Sequence, residues 1–179
     1  MKLKRKDPVF KIAFTALSIA LYVALAFVSI RLPGQEITFK GLPLILASII
    51  SGPVDGVLVA LCGEFLAQLF SPYGLTVTTP LWILPHVARA LIVGLMMMHK
   101  DVEKNKNTWV FSVILSGIVV TILNSLVMLI DGIIFEYNAH LTTLLILIRA
   151  ASSITVSIIY IIVIPLLIKP LKRLNKISC

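Results

Sequence analysis

Between Val9 and Ile30 the chain carries one charge, Lys11, over a stretch long enough to cross a bilayer. A helix needs roughly 20 apolar residues to span the hydrocarbon core, and further apolar runs follow. In lipid every backbone N–H and C=O must be satisfied within the structure, which favours helices for runs of this kind. Composition agrees: 59% of the 179 residues are hydrophobic and 13% are charged, where a soluble domain would hold about a quarter charged residues. The expected fold class is an all-α membrane protein, one domain over residues 1–179. The basic and then apolar N-terminus superficially resembles a signal peptide. The run is too long for an h-region, however, and lacks a small-x-small cleavage site, so a retained first span is expected.

Six spans are expected, at residues 8–30, 42–51, 54–70, 81–98, 109–130 and 141–168. The second is short and could begin as early as Thr38. Gly52-Pro53 separates it from the third, because proline cannot continue a helix and glycine suits a C-terminal cap. Twelve of the sixteen basic residues cluster at span ends: Lys2, Lys4, Arg5, Lys6 and Lys11; Lys100, Lys104 and Lys106; Lys169, Lys172, Arg173 and Lys176. Putting all three groups on one side satisfies the positive-inside rule, with both termini cytoplasmic. The net charge of +8 therefore reports topology, and no nucleic-acid partner is expected. The outward connections are then residues 31–41, 71–80 and 131–140.

Residues Ala16, Ala20 and Ala24 follow one another at four-residue steps and form a stripe along the first span, with Ala13 close to it. Small residues let a second helix approach closely, the main source of helix association in membranes. The neighbour is either another helix of this chain or a separate subunit. No GxxxxGK[ST] phosphate loop is present, and no connection is large enough for a nucleotide-binding fold. Uphill movement of a solute would need an ion gradient or an energised partner, which favours the separate subunit.

The connection from Ser71 to Trp82 concentrates turn formers, hydroxyls and aromatics. Tyr73 and Trp82 offer flat faces and Thr76 a hydroxyl; the bland alternative is an interfacial aromatic belt. Charged and polar groups inside spans are costly, and they mark cavities or partners. Glu64 and Gln68 lie four apart, His86 and Arg89 three apart, and Asn124 and Asp131 seven apart, so each pair shares a helix face. The bland alternative for these groups is a structural ion pair, Glu64 with Arg89; the other is contact with a ligand. Arg149 is the first choice for an anionic group on a ligand, since its planar fork matches a carboxylate or phosphate. The ligand-binding candidates are Gln68, Tyr73, Thr76, Trp82, Arg89, Asn124 and Arg149. His86, His99 and His140 are scattered, with no HExxH and no nucleophile motif, so no enzyme, metal or cofactor is expected. Cys62 and Cys179 give neither a disulfide framework nor a metal spacing.

Taken in order, four features resemble the substrate-binding S components of energy-coupling factor (ECF) transporters. They are the Ala16-x-x-x-Ala20-x-x-x-Ala24 ladder, the passage from Leu42-Pro43-Leu44 to Ser51-Gly52-Pro53-Val54-Asp55-Gly56, the Ser71-to-Trp82 loop, and Ile164-Pro165-Leu166-Leu167-Ile168-Lys169-Pro170-Leu171. The resemblance covers essentially the whole chain. It implies a six-helix subunit of the bacterial cell membrane that binds a water-soluble vitamin in its outer half, under the first, third and fifth connections. It also implies docking by the first-helix alanines onto a transmembrane coupling subunit with two ATPases, and toppling of the S component during transport. Pantothenate is the expected vitamin, from the two intramembrane arginines, and folate follows. The Pro-Gly-Phe-Thr motif associated with folate members is absent, and Tyr73-Gly74-Leu75-Thr76 stands nearby instead. The alternative is a stand-alone ion-driven transporter or small channel, but paired repeats with broken helices are not found.

Overall fold

Proline and glycine set several of the helix boundaries. Gly52 has φ of +116° and ψ of 170°, a conformation costly for any residue with a Cβ. Pro53 follows at the start of the next helix, where a missing N–H leaves no bond unmade. Pro80 does the same at the start of the helix after that. The structure, a computed structural model, describes residues 8–32, 35–71, 74–136 and 139–177. Over those residues the order is α1 (Pro8–Phe27), β1 (Ser29–Leu32), β2 (Gln35–Thr38), α2 (Gly41–Ile50), α3 (Pro53–Leu69), α4 (Thr79–Met97), α5 (Lys106–Ile134) and α6 (Ala139–Ile177).

Among the described residues, four helical stretches are long and apolar enough to cross a membrane: α1, α4, α5 and Ile146–Pro170 of α6. The ten residues of α2 reach about 15 Å and the seventeen of α3 about 25 Å, against a hydrocarbon core of about 30 Å. The expected second span does not begin near Thr38, and the expected loop at residues 31–41 is largely ordered as strand. β1 and β2 pair antiparallel, with Ser29 opposite Thr38 and Leu32 opposite Gln35. Polar and apolar residues alternate strictly over Ser29–Leu32, and Ile37 stands between polar residues on the other side, a short strand pattern. That alternation ends α1 at Phe27, short of Ile30.

The outer surface of the bundle is apolar: Ile12, Phe65, Leu95, Phe111, Ile122 and Leu166 are all exposed. Tyr22, Leu44, Val59, Val93, Trp109, Tyr160 and Ile164 form the centre. Within it α1 turns Thr15, Ser18 and Tyr22 inward. Ala16, Ala20 and Ala24 are exposed on the opposite side, so the ladder does not pack against the interior of the described residues. Close approach inside is made by other small residues. The Tyr22 ring covers Gly63, where an added Cβ would lie 2.7 Å from the ring, and Ser48 lies directly against Gly56. In α6, Pro165 lacks the N–H that would bond the Ile161 carbonyl. The Trp109 indole N–H of α5 donates to that carbonyl at 3.3 Å, which locks α5 to α6.

Candidate functional site

The residues Trp82, His86 and Arg89 follow one another at steps of four and three, so they lie on one face of α4. Each meets a different set of partners. Arg89 stands about 10 Å below Trp82 along the helix.

At the first level the Trp82 indole N–H donates to Asp131 Oδ2 at 2.9 Å. The Arg149 guanidinium carbon lies 5.2 Å from the Trp82 ring centroid, and its Nη1 donates to the Asn124 carbonyl at 3.4 Å. Trp82 is fixed at the start of α4, its backbone N–H on the Thr78 carbonyl at 3.2 Å. The Thr76 N–H donates to Thr79 Oγ1 at 2.9 Å, and its hydroxyl lies 3.0 Å from that of Thr78. Asp131 Oδ1 and Arg149 Nε are buried with no protein partner. One is an acceptor and the other a donor.

At the second level four side chains surround Glu64, which is 4% exposed. Tyr22 Oη and Lys40 Nζ both donate to Oε2, at 2.7 and 2.6 Å. Gln68 Nε2 donates to Oε1 at 3.2 Å, and His86 Nε2 lies 3.5 Å from Oε2. Lys40 also stands 5.7 Å from the Tyr22 ring centroid, and Tyr22 meets His86 edge-on. A buried carboxylate is tolerated when its lone pairs are taken by charged and polar donors in this way. The alternative pair of Glu64 with Arg89 is thus replaced by Glu64 with Lys40. The physical reason is the hairpin, which returns the chain to Lys40 at a point from which its Nζ reaches Glu64 of α3. Arg89, at the third level, is buried against Tyr160, its guanidinium carbon 5.5 Å from the ring centroid.

The structure therefore brings Trp82 and Arg149 together, joins Asn124 to them through its main-chain carbonyl, sets Gln68 in the Glu64 centre, and leaves Arg89 deeper. Thr76 joins the turn that starts α4, and Tyr73 lies outside the described residues. Sequence reasoning missed Tyr22, Lys40 and Tyr160. The signal for the tyrosines was their place mid-span, away from the interfacial belt where tyrosine is usual. Among the described residues no three His, Cys, Asp or Glu side chains cluster as a metal site would require.

Curated proteins give no significant match to the chain. The family model for the ECF-type riboflavin transporter, S component, matches residues 6–173. That match takes in both the α4 stripe and the alanine face of α1, and four apolar helices suit a multi-pass membrane protein. The chain belongs to the ECF-type riboflavin transporter S component family, and is a membrane transport subunit for vitamin uptake.

Proposed function

We propose that this protein captures riboflavin at the outer face of a bacterial cell membrane and passes it to an ATP-driven ECF module. All six helices, α2 together with the hairpin, would complete the membrane domain, both termini lying in the cytoplasm as the basic residues favour. The observation that carries the reading is the open pair at Trp82. A buried acceptor on Asp131 and a buried donor on Arg149 flank an aromatic ring and lack protein partners. A flat uncharged ring with carbonyl acceptors and an N–H donor along one edge matches that combination, and riboflavin has both. Trp82 would stack on the ring, Arg149, Asp131 and Asn124 would hold its polar edge, and Tyr73 and Thr76 would cover it. Pantothenate and folate rank behind, because Arg149 shares its tryptophan with an acid and Arg89 lies about 10 Å deeper. Neither arginine presents a bare cation to a carboxylate at the mouth.

Ala16, Ala20 and Ala24 would dock onto a transmembrane coupling subunit carrying two ATPases. Their exposure supports this, since a small-residue stripe facing outward permits close helix approach only to another chain or to lipid. Two measurements test the reading. Protein purified in detergent should carry or bind riboflavin in preference to pantothenate and folate. A bulky residue at Ala16 or Ala20 should abolish ATP-dependent uptake and leave binding intact. Uptake by the chain alone in an ion gradient would overturn the ECF reading.

A further inference from the structure

The two ring nitrogens of His86 have different surroundings. Nε2 lies 3.5 Å from Glu64 Oε2. Nδ1 is buried without a protein partner, in a residue that is 8% exposed. Glu64 already has Lys40 at 2.6 Å, and Arg89 lies three residues further along α4. A charged imidazole would set a third cation against one buried carboxylate, which burial disfavours. The ring is therefore assigned as neutral, with its one proton on Nε2 towards the carboxylate. Nδ1 is then a bare acceptor.

His86 follows Trp82 by four residues, so it stands about 6 Å below it on the same face of α4. Helical side chains lean towards the start of their helix, which carries the imidazole towards the Trp82 level. Pro85, also buried, withholds the N–H that the Leu81 carbonyl would accept in an unbroken helix. At the Trp82 level Asp131 Oδ1 is a further buried acceptor. Between Trp82 and the deeper Arg89, a ligand group descending along α4 would meet acceptors. These call for O–H donors, and a carboxylate would face them with lone pairs of its own.

We propose that His86 Nδ1 accepts a hydrogen bond from a hydroxyl on the ligand's side chain, and so selects a flavin with a polyol chain over the bare ring. The imidazole would bridge the two centres, with Glu64 facing Nε2 and the ligand hydroxyl on Nδ1. This inference rests on riboflavin being the ligand with its ring at Trp82, and adds the level that the ribityl chain reaches.

The full-length wild type and His86→Leu are titrated in detergent with riboflavin and with lumiflavin, the same ring carrying a methyl group in place of the ribityl chain. The readout is the ratio of the two dissociation constants, since a structural role for His86 would weaken both ligands together. One hydrogen bond to a buried acceptor is worth about five- to tenfold in affinity, and the preference for riboflavin should fall by that factor in His86→Leu. Should His86→Leu not fold, nitrogen NMR of the histidine-labelled wild type replaces it, with resonances assigned through His99→Gln and His140→Gln. The His86 Nδ1 resonance should move with riboflavin and hold still with lumiflavin. Equal affinity of the wild type for the two flavins overturns the proposal, as does an unchanged ratio in His86→Leu or an Nδ1 resonance that answers both alike. In those outcomes riboflavin still binds and the proposed function stands; a wild type that binds neither flavin overturns both.

Discussion

The two polar centres on α4 differ in how completely the protein satisfies them. Around Glu64, both carboxylate oxygens have donors within the chain, from α1, from Lys40 beyond the hairpin and from α3, with His86 of α4 alongside. One turn towards the start of α4, Trp82 meets both Asp131 and Arg149, and this group leaves one buried acceptor and one buried donor without protein partners. The Glu64 carboxylate is fully taken up and ties elements together, and its centre leaves one buried atom without a partner, His86 Nδ1. An unsaturated centre keeps affinity in reserve at the expense of stability, as binding sites do. The Glu64 centre accordingly holds the fold, and the Trp82 centre is the proposed place of capture.

The comparison breaks most visibly at Glu64 itself. Glu64→Ala leaves Lys40 and the other donors facing apolar surroundings, and removing one partner of a buried ion pair costs about 3–5 kcal/mol. Thermal unfolding in detergent should show a large destabilisation, with binding lost alongside. A stable variant that had lost only riboflavin affinity would move Glu64 into the vitamin site. Arg149→Ala should do the reverse: an affinity loss of tenfold or more, since truncating a buried charge partner costs about 2–5 kcal/mol, with little change in unfolding temperature. Unchanged affinity removes Arg149 from the site. Asp131→Asn keeps an acceptor for the Trp82 N–H but loses the charge. A charge-assisted hydrogen bond exceeds a neutral one by about 1 kcal/mol, so affinity should fall several-fold by calorimetry. The smallest effect is expected for Gln68→Ala, about 1 kcal/mol of stability from one lost hydrogen bond and no change in affinity. A tenfold affinity loss there would return Gln68 to the vitamin.

How far these centres were legible beforehand divides along physical lines. The shared face of His86 and Arg89, and the seven-residue step from Asn124 to Asp131, follow from helix period alone. So do the long apolar helices α1, α4, α5 and α6. Trp82, read as the end of a connection, joins the face of His86 and Arg89 because α4 already begins at Thr79. The hairpin was hidden because Ser29 and Ile30 continue the apolar run of α1, and strand alternation over four residues is a faint signal beside twenty apolar ones. Partner choice was hidden for the same reason. Lys40 reaches Glu64 only because the hairpin folds the chain back there, and a loop lysine gives no sign of that in sequence. The alanine ladder shows the converse limit: its spacing defined a face, but whether that face turned inward depended on Thr15, Ser18 and Tyr22 taking the inward side.

The central claim, that a flavin ring is captured against Trp82, is tested most directly by the emission of bound riboflavin. Stacking on tryptophan quenches flavin fluorescence at contact range. Riboflavin bound to the wild type should be nearly dark, and Trp82→Leu, saturated at higher concentration, should hold it bright. Bound riboflavin with the same emission in both proteins would contradict the account.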